Sequence, residues 1–564
     1  MATRSALAGT RPTKNELVPR REIQRRYAVR GYSITGIGIS NGTSGHRGKV
    51  GEGFTFQQVS AMVQACAEIK NSPRGAWGPN ALPEGQKPGP VIIGHDVRYA
   101  SDLARDDAIE VLTGNGITVI EQTGRRAVPT PVVSHAILAA NRKGRNAEGI
   151  IITASHNTAE EGGLKTNGLD GGPNVNTKPI DLAANTILAE DRKIKRKSIA
   201  AARAEGLLIE KDLIGEYVAD LDGIINFDVI KSAEKRGMRF AATSLGGSAH
   251  GIYKLINRKW GLLIREHHAK PDPKGLLRTY DWDGKLRGDP SSADVMKAAE
   301  DKKGDAVLLA ANDNDADRFG GIDSGGILLP NHVLAVLIDY LCQTRQYNRA
   351  AKIARTIGTT HMINCIAEAH GREVVETDVG FKWMVDGLAD GSLMFACEES
   401  AGASFLRKDG TTWTTEKDGI AINLLMMEVI AATGKDISTF YRELEVKYGN
   451  FAYERIDAPA TDTAKARLKS LIDQHKAARA ANQPSPVEAL LRDDTLVEGL
   501  TIKRIRIGDG IKVVFTGANG KEIWVLKRAS GTEPIIKDYR EQQGDGSLDI
   551  ARAASEAIAR TLGL

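Results

Sequence analysis

Short apolar, β-branched segments alternate with longer helical segments along most of this chain, a pattern typical of α/β proteins. The helical segments, such as Phe56–Ile69, Asp102–Thr113 and Val333–Cys342, are long enough to serve as crossover connections between parallel strands. Eight apolar segments predict strands: Val91–Gly94, Ile117–Glu121, Gly149–Thr153, Met238–Thr243, Ala306–Ala311, Lys352–Thr356, Leu393–Cys397 and Glu522–Leu526. The pattern therefore predicts an α/β fold.

The length of 564 residues is too great for one hydrophobic core and predicts several domains, of about 100–200 residues each. Polarity rises and the regular pattern fades near residues 190–210, after Asp317 and around residues 440–460, so we expect domain boundaries there. Residues 189–206 have the composition of an exposed basic helix. No segment approaches the roughly 18 apolar residues that a membrane span needs.

The net charge of +5 is concentrated at the N-terminus, because residues 1–30 contain eight Lys or Arg residues and two Glu residues. This basic arm could contact RNA, a membrane surface or a partner, but we predict a solvated tail. The four cysteines are far apart and form no C-x-x-C pair, which argues against a disulfide framework or a structural zinc site and indicates a reducing cytoplasm.

Three carboxylates alternate along a short segment after one predicted strand: Asp313, Asp315 and Asp317. If the segment is extended, all three side chains lie on one face, where their repulsion favours a bound divalent cation. The pattern does not fit a calcium EF-hand, since the sixth position is Arg318 and the twelfth is Ser324. A magnesium site is therefore predicted, with a solvated acidic turn as the alternative, and Arg318 could pair with a carboxylate or reach a phosphate.

Ser155 follows another predicted strand and precedes His156. A serine hydroxyl is a weak nucleophile unless a base or a metal activates it, so this pair alone favours a helix cap or a turn over a nucleophile. The G-x-S-x-G pattern of esterases is absent around Ser155, and residues 42–50 lack the spacing of a Walker loop.

Two further loops, far apart in the sequence, combine glycine, hydroxyl groups and arginine, which suit a phosphate ligand. They are residues 42–48, which include Arg47, and residues 528–532, which include Arg528, Ser530, Gly531 and Thr532. Glu398 and Ser400 would face the same way in an extended segment and suit sugar hydroxyls, and Lys382 adds a cation nearby. A helix N-terminus is the alternative explanation for the acidic residues at 398–399.

Seven of these segments, in this order, resemble the α-D-phosphohexomutase superfamily, and most closely its glucose phosphate-specific bacterial branch. The segments are GTSGHRG (42–48), TASHN (153–157) with EEGGLKTN (160–167), DNDADR (313–318), GFKW (380–383), CEESAGASFL (397–406), EKDGI (416–420) and RASGTE (528–533). The family often has Pro where Ala154, Thr158, Ala159 and Ala529 stand, Pro or Gly at Asn314, and Gly at Cys397. None of these departures removes a functional side chain.

The resemblance implies an α/β protein with four domains in a heart-shaped arrangement. Three would be mixed α/β/α sandwiches, and the last would be a TATA-binding-protein-like α+β domain. The expected division is a basic arm (1–41), a phosphoserine domain (42–205), a metal-binding domain (206–325), a sugar-recognition domain (326–445) and a phosphate-binding domain (446–564).

The resemblance also implies an isomerase that interconverts glucose 1-phosphate and glucose 6-phosphate through a phosphoserine and glucose 1,6-bisphosphate. Three sets of residues are expected to carry this reaction. The catalytic set is Ser155, His156, Lys165 and Arg47; the Mg²⁺ ligands are Ser155, Asp313, Asp315 and Asp317; the substrate-binding set is Arg318, Lys382, Glu398, Ser400, Arg528, Ser530, Gly531 and Thr532.

The expected partner is a hexose phosphate, without nucleic acid or membrane, for a cytoplasmic monomer or homodimer. A phosphomannomutase or a dual-specificity mutase is the alternative within the family. A catalytically silent binding protein of the same fold is the alternative of another class.

Overall fold

The structure, a computed structural model, describes residues 4–29, 38–42, 45–78, 81–492, 496–517, 520–530 and 534–564. These residues form two compact units. The larger unit comprises Arg4–Ile353 and Gly380–Thr439, and the smaller unit comprises Ala354–Val379 and Phe440–Leu564. The predicted mixed α/β class is confirmed, whereas the five-segment division remains a prediction. None of the described helices is both long and apolar enough to cross a membrane.

A mixed seven-stranded sheet forms the first part of the larger unit. Its strands, in spatial order, are Asn41–Gly42, Gly45–Lys49, Glu161–Asn167, Glu148–Ile152, Val91–His95, Val119–Gln122 and Leu208–Lys211. The central strands Val91–His95 and Glu148–Ile152 are parallel and fully buried. Parallel strands of this kind have continuous apolar sequences, because both of their faces are covered by helices.

Helices cover both faces of this sheet. Val91 and Ile93 belong to a buried cluster with residues of the helix Phe56–Lys70. Successive residues of a strand point to opposite faces, so Gly94 faces away from this cluster. The helix Thr130–Asn141 packs on that second face, where a Cβ added at Gly94 would lie 2.5 Å from a methyl group of Val133. The helices of this part are Arg20–Tyr27, Phe56–Lys70, Tyr99–Gly114, Thr130–Asn141, Lys178–Ala189, Ile199–Ala204 and Leu213–Asp220.

A second, five-stranded sheet follows in the larger unit. Its strands, in spatial order, are Gly326–Ile327, Phe319–Asp323, Leu308–Asn312, Phe240–Thr243 and Arg265–His267. The unit also contains two hairpins, formed by Thr279–Tyr280 with Leu286–Arg287 and by Leu393–Glu398 with Gly402–Phe405. Its remaining helices are Phe227–Lys235, Ile252–Trp260, Ala293–Lys297, Pro330–Thr344, Val385–Ala389 and Gly419–Thr433.

The smaller unit contains an antiparallel five-stranded sheet, as expected for an α+β domain at the C-terminus. Its spatial order is Asn450–Pro459, Ile535–Gly544, Glu522–Ala529, Ile511–Gly517 and Leu500–Ile507. The other elements that contribute residues to this unit are Lys352–Thr356, Met362–Ala369, Val374–Thr377, Ile437–Tyr448, Asp462–Ala480, Pro486–Leu491 and Asp549–Leu562.

Two local predictions were wrong. The segment at residues 189–206 is not one exposed basic helix. The preceding helix ends at Ala189, the next helix is the short Ile199–Ala204, and Leu208–Lys211 then forms the edge strand of the first sheet. The basic N-terminal arm is not a solvated tail either. Its helix Arg20–Tyr27 buries Ile23 and Tyr27. These two positions are four residues apart and therefore lie on one helix face.

The arm helix is anchored by Tyr27, whose hydroxyl donates a 2.7 Å hydrogen bond to Asp107. Replacing Tyr27 by alanine should remove about 3 kcal/mol of packing free energy and raise the detached fraction of the arm roughly 100-fold. Limited trypsin digestion followed by mass spectrometry measures this fraction through cleavage after Arg25. Arg25→Lys is the matched control, because this exposed side chain keeps its charge. Equal cleavage of wild type and Tyr27→Ala would contradict the anchoring.

Candidate functional site

The serine loop (residues 153–158) begins where the buried strand Glu148–Ile152 ends. Ser155 adopts a left-handed backbone conformation with φ of 53°, which is uncommon for a residue with a side chain. Its hydroxyl lies 3.3 Å from Nδ1 of His156 and 3.4 Å from Oδ2 of Asp313. The loop therefore turns Ser155 toward the aspartates, although the two residues are far apart in the sequence.

A buried arginine, Arg98, holds the backbone of the serine loop. Its guanidinium donates hydrogen bonds to the carbonyl oxygens of Ser155 (2.6 Å), Asn157 (2.5 Å) and Thr158 (3.0 Å). It is also paired with Asp96. The sequence analysis missed Arg98, because no local pattern links it to a loop nearly 60 residues away.

The aspartate loop (residues 313–318) follows the buried strand Leu308–Asn312. It is a turn and not an extended segment, with Ala316 in the left-handed region at φ of 57°, so the period-two argument was wrong. The three carboxylates nevertheless come together, because the turn curls around a common centre. One oxygen from each of Asp313, Asp315 and Asp317 lies within 4.8 Å of the others.

This carboxylate cluster fits a divalent cation. All three aspartates are buried, and Oδ1 of Asp315 and Oδ1 of Asp317 have no hydrogen-bond partner among the described residues. Burial and the two neighbouring carboxylates raise the pKa of Asp313 well above its usual range. A cation bound by oxygen ligands would satisfy the two oxygens and offset the repulsion, and Mg²⁺ prefers such ligands.

Two lysines flank the cluster. Nζ of Lys165 lies 2.9 Å from Asp315 and 3.3 Å from Asp317, and Nζ of Lys417 lies 3.2 Å from Asp317. Although burial opposes the charged form, Lys417 and Lys165 hold the pKa of Asp317 well below its usual range. The sequence analysis quoted Lys417 within the EKDGI segment but assigned it no role.

His156 and Arg318 share one acidic partner, Asp289, which the sequence analysis also missed. Arg318 forms a 2.6 Å ion pair with Asp289, and Nε2 of His156 lies 3.8 Å from the same carboxylate oxygen. Burial, together with the positive charges of Arg318 and Arg47, lowers the pKa of His156 well below its usual range. The imidazole beside Ser155 is therefore neutral near pH 7.

Arg47 lies on the strand Gly45–Lys49, where it is opposite Gly163 of the neighbouring strand. Lys165 is two residues after Gly163 on that strand, so the side chains of Arg47 and Lys165 project from the same face of the sheet. Burial lowers the pKa of Arg47, and the negative charges of Asp315 and Asp317 oppose this shift. Gly163 is required here, because an added Cβ would lie 2.4 Å from the carbonyl oxygen of Thr153.

The hairpin that carries Glu398 packs directly against the aspartate loop, since the N–H of Phe319 donates to the carbonyl oxygen of Ala401. Glu398 ends its strand and residues 399–401 form a tight turn, so Glu398 and Ser400 do not lie on an extended segment or on a helix N-terminus as considered above. Glu398 lies 3.7 Å from Lys417, and burial raises its pKa.

Lys382 lies two residues after Gly380, whose backbone contacts the hairpin that carries Glu398. The N–H of Gly380 donates a 3.1 Å hydrogen bond to Oε1 of Glu398. Lys382 follows on the short helix Phe381–Met384, with its Nζ 5.0 Å from the ring centroid of Trp383. The larger unit therefore brings together the serine loop, the aspartate loop and the Glu398 hairpin.

The loop that contains Arg528 belongs to the smaller unit. Nε of Arg528 donates a 2.6 Å hydrogen bond to Asp509, and the N–H of Ser530 donates to the carbonyl oxygen of Ile535. Gly531 and Thr532 lie outside the described residues. The phosphate-binding role of this loop remains a prediction.

Comparisons with known proteins identify a common family. The profile "Phosphoglucomutase/phosphomannomutase, alpha/beta/alpha domain I" matches residues 38–193, and the profile for domain III matches residues 329–448. A phosphoglucomutase of Komagataeibacter xylinus is 37% identical over 512 residues, which cover 89% of this chain and 87% of the relative. A phosphoglucomutase/phosphomannomutase of Thermococcus kodakarensis is 25% identical, with 83% and 90% covered.

Solved structures show the same fold at lower sequence identity. The open form of the phosphoprotein pp63/parafusin, a phosphoglucomutase from Paramecium, superposes with a TM-score of 0.71 at 19% identity, covering 94% of this chain and 97% of that one. A putative phosphomannomutase from Thermus thermophilus gives a TM-score of 0.69 at 24% identity, covering 94% and 100%.

Proposed function

The chain belongs to the phosphoglucomutase/phosphomannomutase family, and from this premise we propose that it interconverts glucose 1-phosphate and glucose 6-phosphate through a phosphorylated Ser155. Membership makes the chain an enzyme of the isomerase class, which moves a phosphoryl group within one sugar. The proposal is carried by one observation: the Ser155 hydroxyl lies 3.4 Å from a buried aspartate cluster that fits a divalent cation.

In the proposed reaction, phosphorylated Ser155 donates its phosphoryl group to the free hydroxyl of the sugar phosphate, which gives glucose 1,6-bisphosphate. The bisphosphate then reverses its orientation, and its other phosphate returns to Ser155. When the bond from Ser155 to phosphorus breaks, the serine oxygen takes up the proton that the attacking sugar hydroxyl gives up. When that bond reforms, the serine proton passes to the oxygen freed on the sugar, and glucose 6-phosphate is released. The bisphosphate is therefore both an intermediate and the compound that rephosphorylates an enzyme that has lost its phosphoryl group.

Asp313, Asp315 and Asp317 would hold the Mg²⁺ ion, together with an oxygen of the phosphorylated serine. When bound, the ion supplies positive charge against the negative charge of the phosphoryl group in transfer. Lys165 and Lys417 lie beside the same carboxylates and add fixed positive charge at this point.

We assign the acceptance of the sugar hydroxyl proton to His156 rather than to Lys165. The pKa of Lys165 is raised by Asp315 and Asp317, although burial opposes this, so the ammonium keeps its proton near pH 7. His156 is neutral, and Asp289 lies close enough to stabilise the imidazolium that forms after proton transfer. Arg98 keeps the serine loop in position for each transfer.

Recognition of the sugar is assigned to Glu398 and Ser400, with Lys382 near them. Arg528, Ser530, Gly531 and Thr532 are assigned to the phosphate that is not transferred, and Arg318, next to the aspartates, is assigned to phosphate contact there. Support for the second group comes from its composition, since arginine, hydroxyl groups and backbone N–H groups suit a phosphate.

A coupled assay with glucose 1-phosphate and mannose 1-phosphate tests the substrate. We expect kcat/KM to be about tenfold or more higher for glucose 1-phosphate, because the two sugars differ at one hydroxyl and a site built to bind a hydroxyl rejects its absence or displacement. Glu398→Gln should reduce this ratio. Equal values for both sugars would favour a dual-specificity mutase, and no turnover of either would favour a silent binding protein.

A further inference from the structure

A cavity of about 250 Å³ lies in the larger unit, outside the cluster formed by Ser155 and the three aspartates. Three segments line it: residues 16–18 of the N-terminal arm, residues 158–160 just after Ser155, and parts of residues 274–286. We name it the Arg278 cavity after its most deeply buried charged residue. Its volume is slightly below the range of about 300–1,000 Å³ found for small-molecule sites.

The guanidinium of Arg278 is unusual because it is buried without a matching acid. Arg278 is 3% exposed, and its Nε and Nη1 have no hydrogen-bond partner among the described residues. Nor do the described residues supply an ion pair to it. Burial, reinforced by the positive charge of Arg98, lowers the pKa of Arg278 to about 9. Buried charges in proteins are normally paired, so such a side chain calls for an anion that the chain itself does not provide.

The acidic residues that line the cavity are already engaged elsewhere. Glu160 forms a 2.7 Å ion pair with Arg26, and Glu16 accepts hydrogen bonds from the backbone and hydroxyl groups of Thr13. Lys274 also lines the cavity, and its Nζ donates a 3.2 Å hydrogen bond to the backbone carbonyl oxygen of Lys14. Among the charged lining residues, Arg278 is therefore the one with unpartnered nitrogen atoms in the described part of the chain.

We propose that the Arg278 cavity is a second ligand site, which binds a small organic phosphate. Arg278 lines the cavity and has no acidic partner among the described residues, and arginine binds phosphate oxygens through charge-assisted hydrogen bonds. Lys274 supplies a second positive charge for a dianion, and Thr158 and Tyr280, which both carry hydroxyl groups, are among the lining residues. A carboxylate would satisfy Arg278 but would leave the second positive charge unmatched.

The site is separate from the proposed reaction site and does not depend on it. Neither Ser155, His156 nor the aspartate loop lines the cavity. The two sites are coupled through the chain, however, because Thr158 is both a cavity residue and the third residue after Ser155, with its carbonyl held by Arg98. An occupant would contact the arm and this end of the serine loop together and slow their local opening.

Isothermal titration calorimetry with glycerol 3-phosphate tests the proposal. The titrations use full-length Arg528→Gln, so that the predicted phosphate loop does not contribute, and compare it with the Arg278→Met and Lys274→Met variants made in the same background. We expect Arg278→Met to weaken binding roughly tenfold or more, because the charge-assisted hydrogen bonds to the phosphate are lost, and Lys274→Met to weaken it less. Hydrogen exchange at residues 158–162 should slow on adding the phosphate only when Arg278 is present.

Lys270→Met is the matched control, since this exposed lysine is four residues from Lys274 and does not line the cavity. It should bind glycerol 3-phosphate as the parent does. Lys274→Met, in which the altered side chain is only partly buried, keeps the test decisive if Arg278→Met fails to fold. Unchanged affinity in the Arg278 and Lys274 variants would overturn the site, and acetate binding as tightly as the phosphate would overturn the assignment to phosphate.

Discussion

Ser155→Ala is expected to lower kcat by a factor of about 10⁴ or more while leaving the fold intact. The hydroxyl that would carry the phosphoryl group is lost, and no neighbouring side chain replaces a nucleophile in a two-step transfer. The cost in stability should be below about 1 kcal/mol, because the Ser155 hydroxyl makes only two long contacts, at 3.3 and 3.4 Å. A coupled assay with glucose 1,6-bisphosphate present measures the rate, and thermal unfolding measures the stability.

Mass spectrometry provides an independent readout of the same prediction. The wild-type peptide that contains Ser155 should carry about 80 Da of additional mass as a phosphoryl group, and the alanine variant should not. Ser248→Ala is the matched control. Ser248 is buried, its N–H donates to the carbonyl oxygen of Asn314 in the aspartate loop, and its hydroxyl has no hydrogen-bond partner among the described residues. Near-normal turnover by Ser155→Ala would exclude Ser155 as the nucleophile.

The elements that position the reaction site were predictable from sequence because they are buried parallel strands. The segments 149–153 and 306–311 were recognised as strands, and the observed strands Glu148–Ile152 and Leu308–Asn312 differ by one or two residues at each end. The chemically dense loops follow the carboxyl ends of these strands, which is where ligands bind in α/β sheets. The two strands belong to different sheets, however, so the approach of their loops to one another became evident only from the structure.

The conformation of each loop could not be predicted in the same way. Ser155, Ala316 and Ala401 all adopt the left-handed backbone conformation, although none of them is glycine. Sequence patterns assume that such residues continue an extended or helical path, so the alternation of aspartates was interpreted as a strand. The surrounding hydrogen bonds override this local preference, and they come from residues distant in the sequence.

The residues that the sequence analysis missed share this property. Arg98 and Asp289 contact the serine loop and Arg318 across long sequence separations, and no motif marks them. Lys417 did lie within a quoted motif, but its contacts with Asp317 and Glu398 became evident only from the structure. Motifs identify the groups that react, whereas the residues that hold them in place require the three-dimensional arrangement.

Removal of the metal is the second test of the proposed reaction, and Asp313→Asn is its sharpest form. A chelator should abolish turnover of the wild type, and Mg²⁺ should restore it. Asp313→Asn should lose about 10³-fold in kcat/KM even with excess Mg²⁺, because one anionic ligand is missing and Asn binds the ion weakly. Metal-dependent stabilisation, measured as the shift of the thermal midpoint on adding Mg²⁺, should also disappear in the variant.

In the absence of metal, Asp313→Asn should not lower the stability of the protein. A variant that keeps this stability but no longer responds to Mg²⁺ has lost a metal ligand and not its fold. Because the pKa of Asp313 is raised by burial and by Asp315 and Asp317, the folded metal-free protein binds a proton that the unfolded chain has already released. Its stability therefore falls as the pH rises above the ordinary range of an aspartate, and Asp313→Asn, which resembles the protonated form, should reduce this fall.

Asp323→Asn is the matched control, because Asp323 is a buried aspartate outside the cluster, and this variant should keep the wild-type response to Mg²⁺. Full activity of Asp313→Asn in the presence of chelator would show that the three carboxylates hold no essential ion.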